Sequence, residues 1–162
     1  MLRSLFPGWL YFTKHFGFIE ITHMLVYLNG QFLSDEETKI SYNDRGFLLA
    51  NGIYETIKIH NCTPTFLKNH YDRLKHAGTI IGFPINIQLL ELRNIILHLL
   101  EKNGLKNQDS SARLTITRGV GPRGLLPPEH PALTIMVTVF ASPPRVSGSL
   151  SLAISQIRRN EY

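Results

Sequence analysis

Arg73 closes the run His70-Tyr71-Asp72-Arg73, three residues after a histidine, so on a helix the two side chains share a face. A guanidinium presents a fixed fork of donors that matches phosphate oxygens, although helical spacing alone is equally compatible with a solvated arginine. Tyr54, Thr56, Lys58 and His60 alternate along 53–60 with Ile53, Glu55, Ile57 and Ile59. A strand with this alternation has one core face and one working face. On pattern alone Tyr54 is half-buried surface. Lys58 invites a reading as an imine-forming nucleophile, but nothing in the sequence supplies the desolvation that would activate it. Arg123 lies in Arg118-Gly119-Val120-Gly121-Pro122-Arg123-Gly124-Leu125, which satisfies G-x-G-x-x-G. A dinucleotide site needs a helix opening straight after the glycines. Leu125-Leu126-Pro127-Pro128 follows instead, so the nucleotide reading is rejected and the residues alone leave a loop tip with a spare arginine.

These side chains need elements to position them. Asn29-Gly30 between 26–28 and 31–33 predicts a hairpin, since Asn-Gly supplies the two positive φ angles of a type I′ turn. The residues 39–41 read as a short strand. Strand 53–60 reverses at Asn61-Cys62 and returns through 65–67. Leu67, His70, Tyr71, Leu74, Gly78 and Ile81 recur at helical spacing and predict a helix over 68–81, closed by Pro84. A second helix is predicted over 87–103, with Asn86 as N-cap and Gly104 as its stop. Strands over 112–118 and 133–140 follow, joined by a Gly- and Pro-rich loop. The fold class is therefore α+β: an antiparallel sheet with two consecutive helices against one face.

At 162 residues the chain is long enough to bury a sizeable core, and 18% charged with 43% hydrophobic residues argues against disorder. One cysteine, Cys62, excludes a disulfide framework and fits a cytoplasmic location. The seven histidines show no metal-ligand spacing, so no metal site is expected. The net charge of +5 comes from scattered basic residues rather than a stripe, which argues against nucleic acid and suits an anionic cofactor and a carboxylate substrate. Residues 1–23 are aromatic-rich and broken by Pro7, Gly8, Lys14, His15 and Glu20, so they read as an extension outside the fold, with neither a membrane span nor a signal peptide. The domain proper is expected over 24–142. Residues 143–149 read as a linker, and 150–162 hold the first strand of a second domain, over 150–158.

Asp44-Arg45-Gly46, Gly52-Ile53-Tyr54-Glu55, His70-x-x-Arg73-Leu74 and Thr117-Arg118-Gly119-x-x-Pro122-Arg123 occur in that order, with gaps that resemble the fold-type IV (class IV) enzymes using pyridoxal 5′-phosphate. That family includes 4-amino-4-deoxychorismate lyase, D-amino acid aminotransferase and branched-chain aminotransferase. The resemblance covers residues 24–160 and implies the family's N-terminal two-layer α/β sandwich. It also implies that Arg73 holds the cofactor phosphate, that Tyr54 faces the substrate with Thr56 and Lys58 lining the pocket, and that Arg123 meets the substrate carboxylate. A homodimer is implied as well, because the family's sites sit near a dimer interface.

Two departures matter. D-amino acid aminotransferase follows its loop arginine with x-His, where this chain has Leu125, closer to the lyases. The family's catalytic lysine matches no residue here, so the catalytic residue stays unassigned. The expectation is the N-terminal part of an aminodeoxychorismate lyase, releasing 4-aminobenzoate and pyruvate for folate synthesis. An aminotransferase for D-amino or branched-chain acids is the alternative, and a catalytically inactive truncated fragment is the third reading.

Overall fold

A computed structural model describes residues 23–143, 149 and 151–154. In chain order the elements are β1 (Leu25–Leu28), β2 (Gln31–Ser34), α1 (Arg45–Leu49), β3 (Gly52–His60), β4 (Thr63–Pro64), α2 (Leu67–Ile80), α3 (Leu89–Lys102), β5 (Ser110–Thr117) and β6 (Thr134–Ala141). The six strands form one antiparallel sheet in the order β2-β1-β6-β5-β3-β4. Alternation then divides the sheet into two faces. Ile57, Ile59, Ala112, Leu114, Ile116, Val137 and Val139 point to one side and are buried under Leu74 of α2 and Leu92, Ile96 and Leu99 of α3. Complete burial of each such aliphatic side chain contributes roughly 1.5–3 kcal/mol, which makes this layer the source of the domain's stability.

The expected α+β sandwich with two main helices is what the chain forms, and three local readings are corrected. Residues 39–41 make no strand. The return of the second hairpin is Thr63–Pro64, not 65–67, because Asn61 (φ 47°) and Cys62 (φ 57°) close a two-residue turn in the left-handed region. Phe66 then turns left-handed and Leu67 already begins α2. The second helix starts two residues late. Phe83, Ile85 and Ile87 alternate into the core as an extended segment, held from α2 by Tyr71 Oη to the Ile87 carbonyl (3.1 Å) and Lys75 Nζ to the Ile85 carbonyl (2.7 Å). Burial of Ile87 thus outcompetes helix at that position. The cap is Gln88, whose N–H donates to the Glu91 carboxylate at 3.3 Å, and not Asn86.

The extension over 1–22, the linker residues 144–148, and residue 150 and residues 155–158 of the expected last strand lie outside the described residues. Residues 151–154, which are described, are exposed and unpaired with the sheet. No helix among the described residues is long and apolar enough to cross a membrane.

Candidate functional site

Strand alternation places a carboxylate, Glu55, on the core face of β3, where it is 4% exposed. A buried carboxylate is costly unless its oxygens are satisfied. The helical spacing of α2 supplies what it needs from one side. Arg73 donates from Nε to Oε1 at 2.6 Å and from Nη2 to Oε2 at 2.5 Å, and His70 Nδ1 donates to Oε2 at 2.7 Å. Burial raises the Glu55 pKa, but the hydrogen bonds and positive charges of Arg73 and His70 outweigh it and hold the carboxyl below its ordinary value. The Arg73 pKa is raised in return. The arginine is still 70% exposed at its side chain, and its Nη1 makes no hydrogen bond among the described residues. One edge of the guanidinium is anchored and the other is available to a ligand.

The opposite face of β3 carries Tyr54, Thr56 and Lys58, all exposed and in register with Thr115, Arg113 and Ser111 of β5. The Arg113 guanidinium lies over the Tyr54 ring, 3.9 Å from its centroid. Lys58 Nζ is 3.5 Å from Asp109, whose carboxyl also meets His60 Nδ1 at 2.6 Å and is held below the ordinary range mainly by that hydrogen bond. Half exposed and ion-paired, Lys58 is a solvated side chain rather than one in an apolar pocket. The structure therefore gathers Tyr54, Thr56 and Lys58 on one face and ties Arg73 to the neighbouring residue from the other. On the outer side of β3, β4 pairs only with Ile59 and His60, so among the described residues no strand flanks the segment that carries Tyr54 and Glu55 there.

Arg123 sits exposed in the loop between β5 and β6, and the residues that shape this loop were quoted from the sequence as motif pieces, with no role given to them. Asp44 and Arg45 are both 1% exposed. Asp44 caps α1 by accepting from the Gly46 N–H (2.7 Å) and also accepts from the hydroxyls of Thr117 (2.9 Å) and Thr134 (2.6 Å). Arg45 reaches into the loop, donating from Nη1 to the carbonyls of Pro122 (2.8 Å) and Gly124 (3.1 Å) and from Nη2 to that of Leu125 (3.1 Å). Arg118, also buried, donates to Asn51 Oδ1 and to the carbonyls of Ile81 and Gly82, which fixes the end of α2. Gly119 (φ 70°) is packed so closely that a Cβ there would lie 1.7 Å from the Ala132 carbonyl oxygen. The signal for these clasps was the polar cluster Asn43-Asp44-Arg45-Gly46, which reads as a solvated turn until its distant partners around Thr117, Pro122 and Thr134 are known.

Comparison with known proteins bears on this geometry. The model of the family described as amino-transferase class IV matches residues 52–162. A protein of Methanocaldococcus jannaschii, provisionally named a branched-chain-amino-acid aminotransferase, is 34% identical over 121 residues, covering 75% of this chain and 41% of that protein. A D-alanine aminotransferase of Staphylococcus epidermidis is 31% identical over 117 residues, covering 72% and 41%. Among solved structures, the branched-chain aminotransferase of Escherichia coli superposes with a TM-score of 0.67 at 20% identity, covering 74% of this chain and 41% of that one. The T.th. branched-chain aminotransferase with pyridoxamine 5′-phosphate gives 0.69 at 21%, covering 79% and 43%. The sandwich is thus the N-terminal architecture of the fold-type IV enzymes, and the chain spans about two fifths of the length of the curated relatives it matches.

Proposed function

The chain belongs to the class IV aminotransferases, which are pyridoxal 5′-phosphate enzymes, and from that premise we propose that it supplies the phosphate-binding and substrate-facing part of such an enzyme. The observation that carries the reading is the half-anchored Arg73, its Nε and Nη2 fixed on Glu55 and its Nη1 available to a phosphate oxygen. Arg73 holds the cofactor phosphate, with His70 steadied beside it by the same carboxylate. Tyr54, Thr56 and Lys58 line the substrate side, and Arg113 adds a cation there. Arg123 receives the substrate carboxylate from its clamped loop. When bound, the cofactor supplies an electron sink for the substrate α-carbon. No residue of this chain is proposed for the lysine that moves the α-proton in this family. The working enzyme is a cytoplasmic homodimer.

The substrates proposed are amino acids with small or branched apolar side chains, because the relatives named above are aminotransferases of that kind and Leu125 and Leu126, beside Arg123, are 85% and 84% exposed. A second reading, 4-amino-4-deoxychorismate lyase, is favoured by Leu125 standing where a histidine donor would serve a small amino acid. In a complete version of the enzyme, kcat/KM for D-alanine or leucine with 2-oxoglutarate is measured against 4-aminobenzoate release from aminodeoxychorismate. Turnover of aminodeoxychorismate alone replaces the first reading with the second. Arg73→Ala should weaken cofactor affinity roughly tenfold to a hundredfold while sparing the rate at saturation; unchanged affinity returns Arg73 to a solvated helix side chain. Borohydride reduction of the 162-residue chain mixed with pyridoxal phosphate should leave no stoichiometric label, and specific labelling of Lys58 would make that strand lysine the catalytic one.

A further inference from the structure

Arg45 is a buried cation that pairs with no acid among the described residues. The nearest acid in sequence, Asp44, commits its carboxylate to Gly46, Thr117 and Thr134, and no carboxylate among the described residues pairs with Arg45. Its charge is met only by the carbonyls of Pro122, Gly124 and Leu125, and its Nε–H is buried without an acceptor. A trans peptide directs its C=O and N–H to opposite sides, and every peptide here is trans. Three carbonyls turned toward Arg45 therefore turn the N–H groups of Arg123, Leu125 and Leu126 away from it, toward the exposed surface of the loop. None of these three amides donates a hydrogen bond within the described residues. Gly124, at φ 107°, permits the sharp turn between them. Successive outward amides over a guanidinium that no carboxylate contacts directly are the makings of a main-chain anion site.

We propose that Arg45 is a positioning residue that converts loop 122–126 into a carboxylate site, in which the amides of Leu125 and Leu126 act together with the Arg123 guanidinium. The ligand class is a monocarboxylate with a short apolar tail, since the exposed leucine side chains flank the same amides. The inference rests on the proposed role of Arg123 but adds donors that no side-chain reading contains.

The test is a titration of the ¹⁵N-labelled 162-residue chain with sodium isovalerate, against sodium chloride at equal ionic strength. The amide protons of Leu125 and Leu126 should move downfield along one saturable isotherm with isovalerate and stay put with chloride. Arg123→Ala should weaken that isotherm about tenfold yet keep the amide shifts at saturation. Arg45→Lys should abolish the amide response and speed hydrogen exchange at Leu125 and Leu126, and where this variant does not fold the unmutated titration decides alone. If the Arg123 side chain responds while the amides do not, the inference is overturned and the role of Arg123 stands. If neither responds, or chloride serves as well, both are overturned.

Discussion

Glu55→Gln separates two roles for the carboxylate under Arg73, because they move phosphate affinity in opposite directions. The substitution keeps the shape of a side chain that is 4% exposed and removes its charge. If Glu55 merely adds negative charge beside a phosphate site, its loss relieves repulsion. Two charges of the phosphate about 6 Å away are worth roughly three- to tenfold in affinity in a water-like dielectric, shrinking to less than about twofold at about 0.5 M salt, where screening acts over about 4 Å. If Glu55 anchors Arg73, the variant must order the guanidinium on binding, and that loss of rotamer freedom amounts to roughly tenfold weaker affinity, independent of salt. In a complete version of the enzyme, binding of pyridoxal 5′-phosphate, followed by absorbance at about 0.5 M salt with pyridoxal as the phosphate-free control, should therefore weaken about fivefold to tenfold in the variant. Equal or tighter binding would refute the anchoring argument. A stability readout accompanies it. The Glu55 carboxyl titrates lower in the folded chain than its ordinary value of 4.5, so its stabilisation is complete above that value and is lost as pH falls through the depressed one. The wild-type advantage, about 1–2 kcal/mol at neutral pH for charged hydrogen bonds to a buried group, should disappear in acid and not in base.

Other substitutions test the frame. Asp44→Ala strands the Gly46 amide and two threonine hydroxyls and should cost about 2–4 kcal/mol, read as a drop in the urea midpoint. Leu99→Ala, at a fully buried position of α3, should cost about 2–5 kcal/mol in the same assay. Gly119→Ala meets both a left-handed φ and the Ala132 carbonyl, so it should displace the Arg123 loop and be visible as new amide shifts over 119–126 even where the core stays folded. His60→Ala removes the main cause of the lowered Asp109 pKa; that carboxyl should titrate higher in the variant by NMR, with little change in stability because the pair is exposed.

The alternation over 53–60 and the 3.6-residue spacing after Leu67 are local patterns, and they made β3 and α2 readable within a residue or two. Alternation equally identified the polar face that Tyr54, Thr56 and Lys58 share. What was hidden depends on distant partners. Glu55 stood as an acid on an isoleucine face and as the last residue of Gly52-Ile53-Tyr54-Glu55, with no role, because nothing local shows that Arg73 and His70 reach back eighteen and fifteen residues to satisfy it. Asp44, Arg45 and Arg118 stood in the sequence as motif pieces with no role; their burial was not legible, since most of their partners are backbone groups and hydroxyls, which carry no sequence signature. The start of α3 was misjudged for a similar reason: Ile87 fits a helix by period and an extended core plug by packing, and packing prevailed.

The position of β6 bears on how the chain is made. It lies between β1 and β5, so the β2-β1 pair has no partner in the sheet until residues 134–141 have been synthesised. At a translation rate of about 5–20 residues per second, the roughly one hundred residues separating β2 from β6 occupy roughly 5–20 s. During that interval a lone two-stranded hairpin is at best marginal. The strands β3 and β4 wait likewise for β5, with both helices emerging first. A nascent chain of this topology holds its apolar strand faces unpaired for seconds, a span in which exposed apolar surface is open to association with other chains.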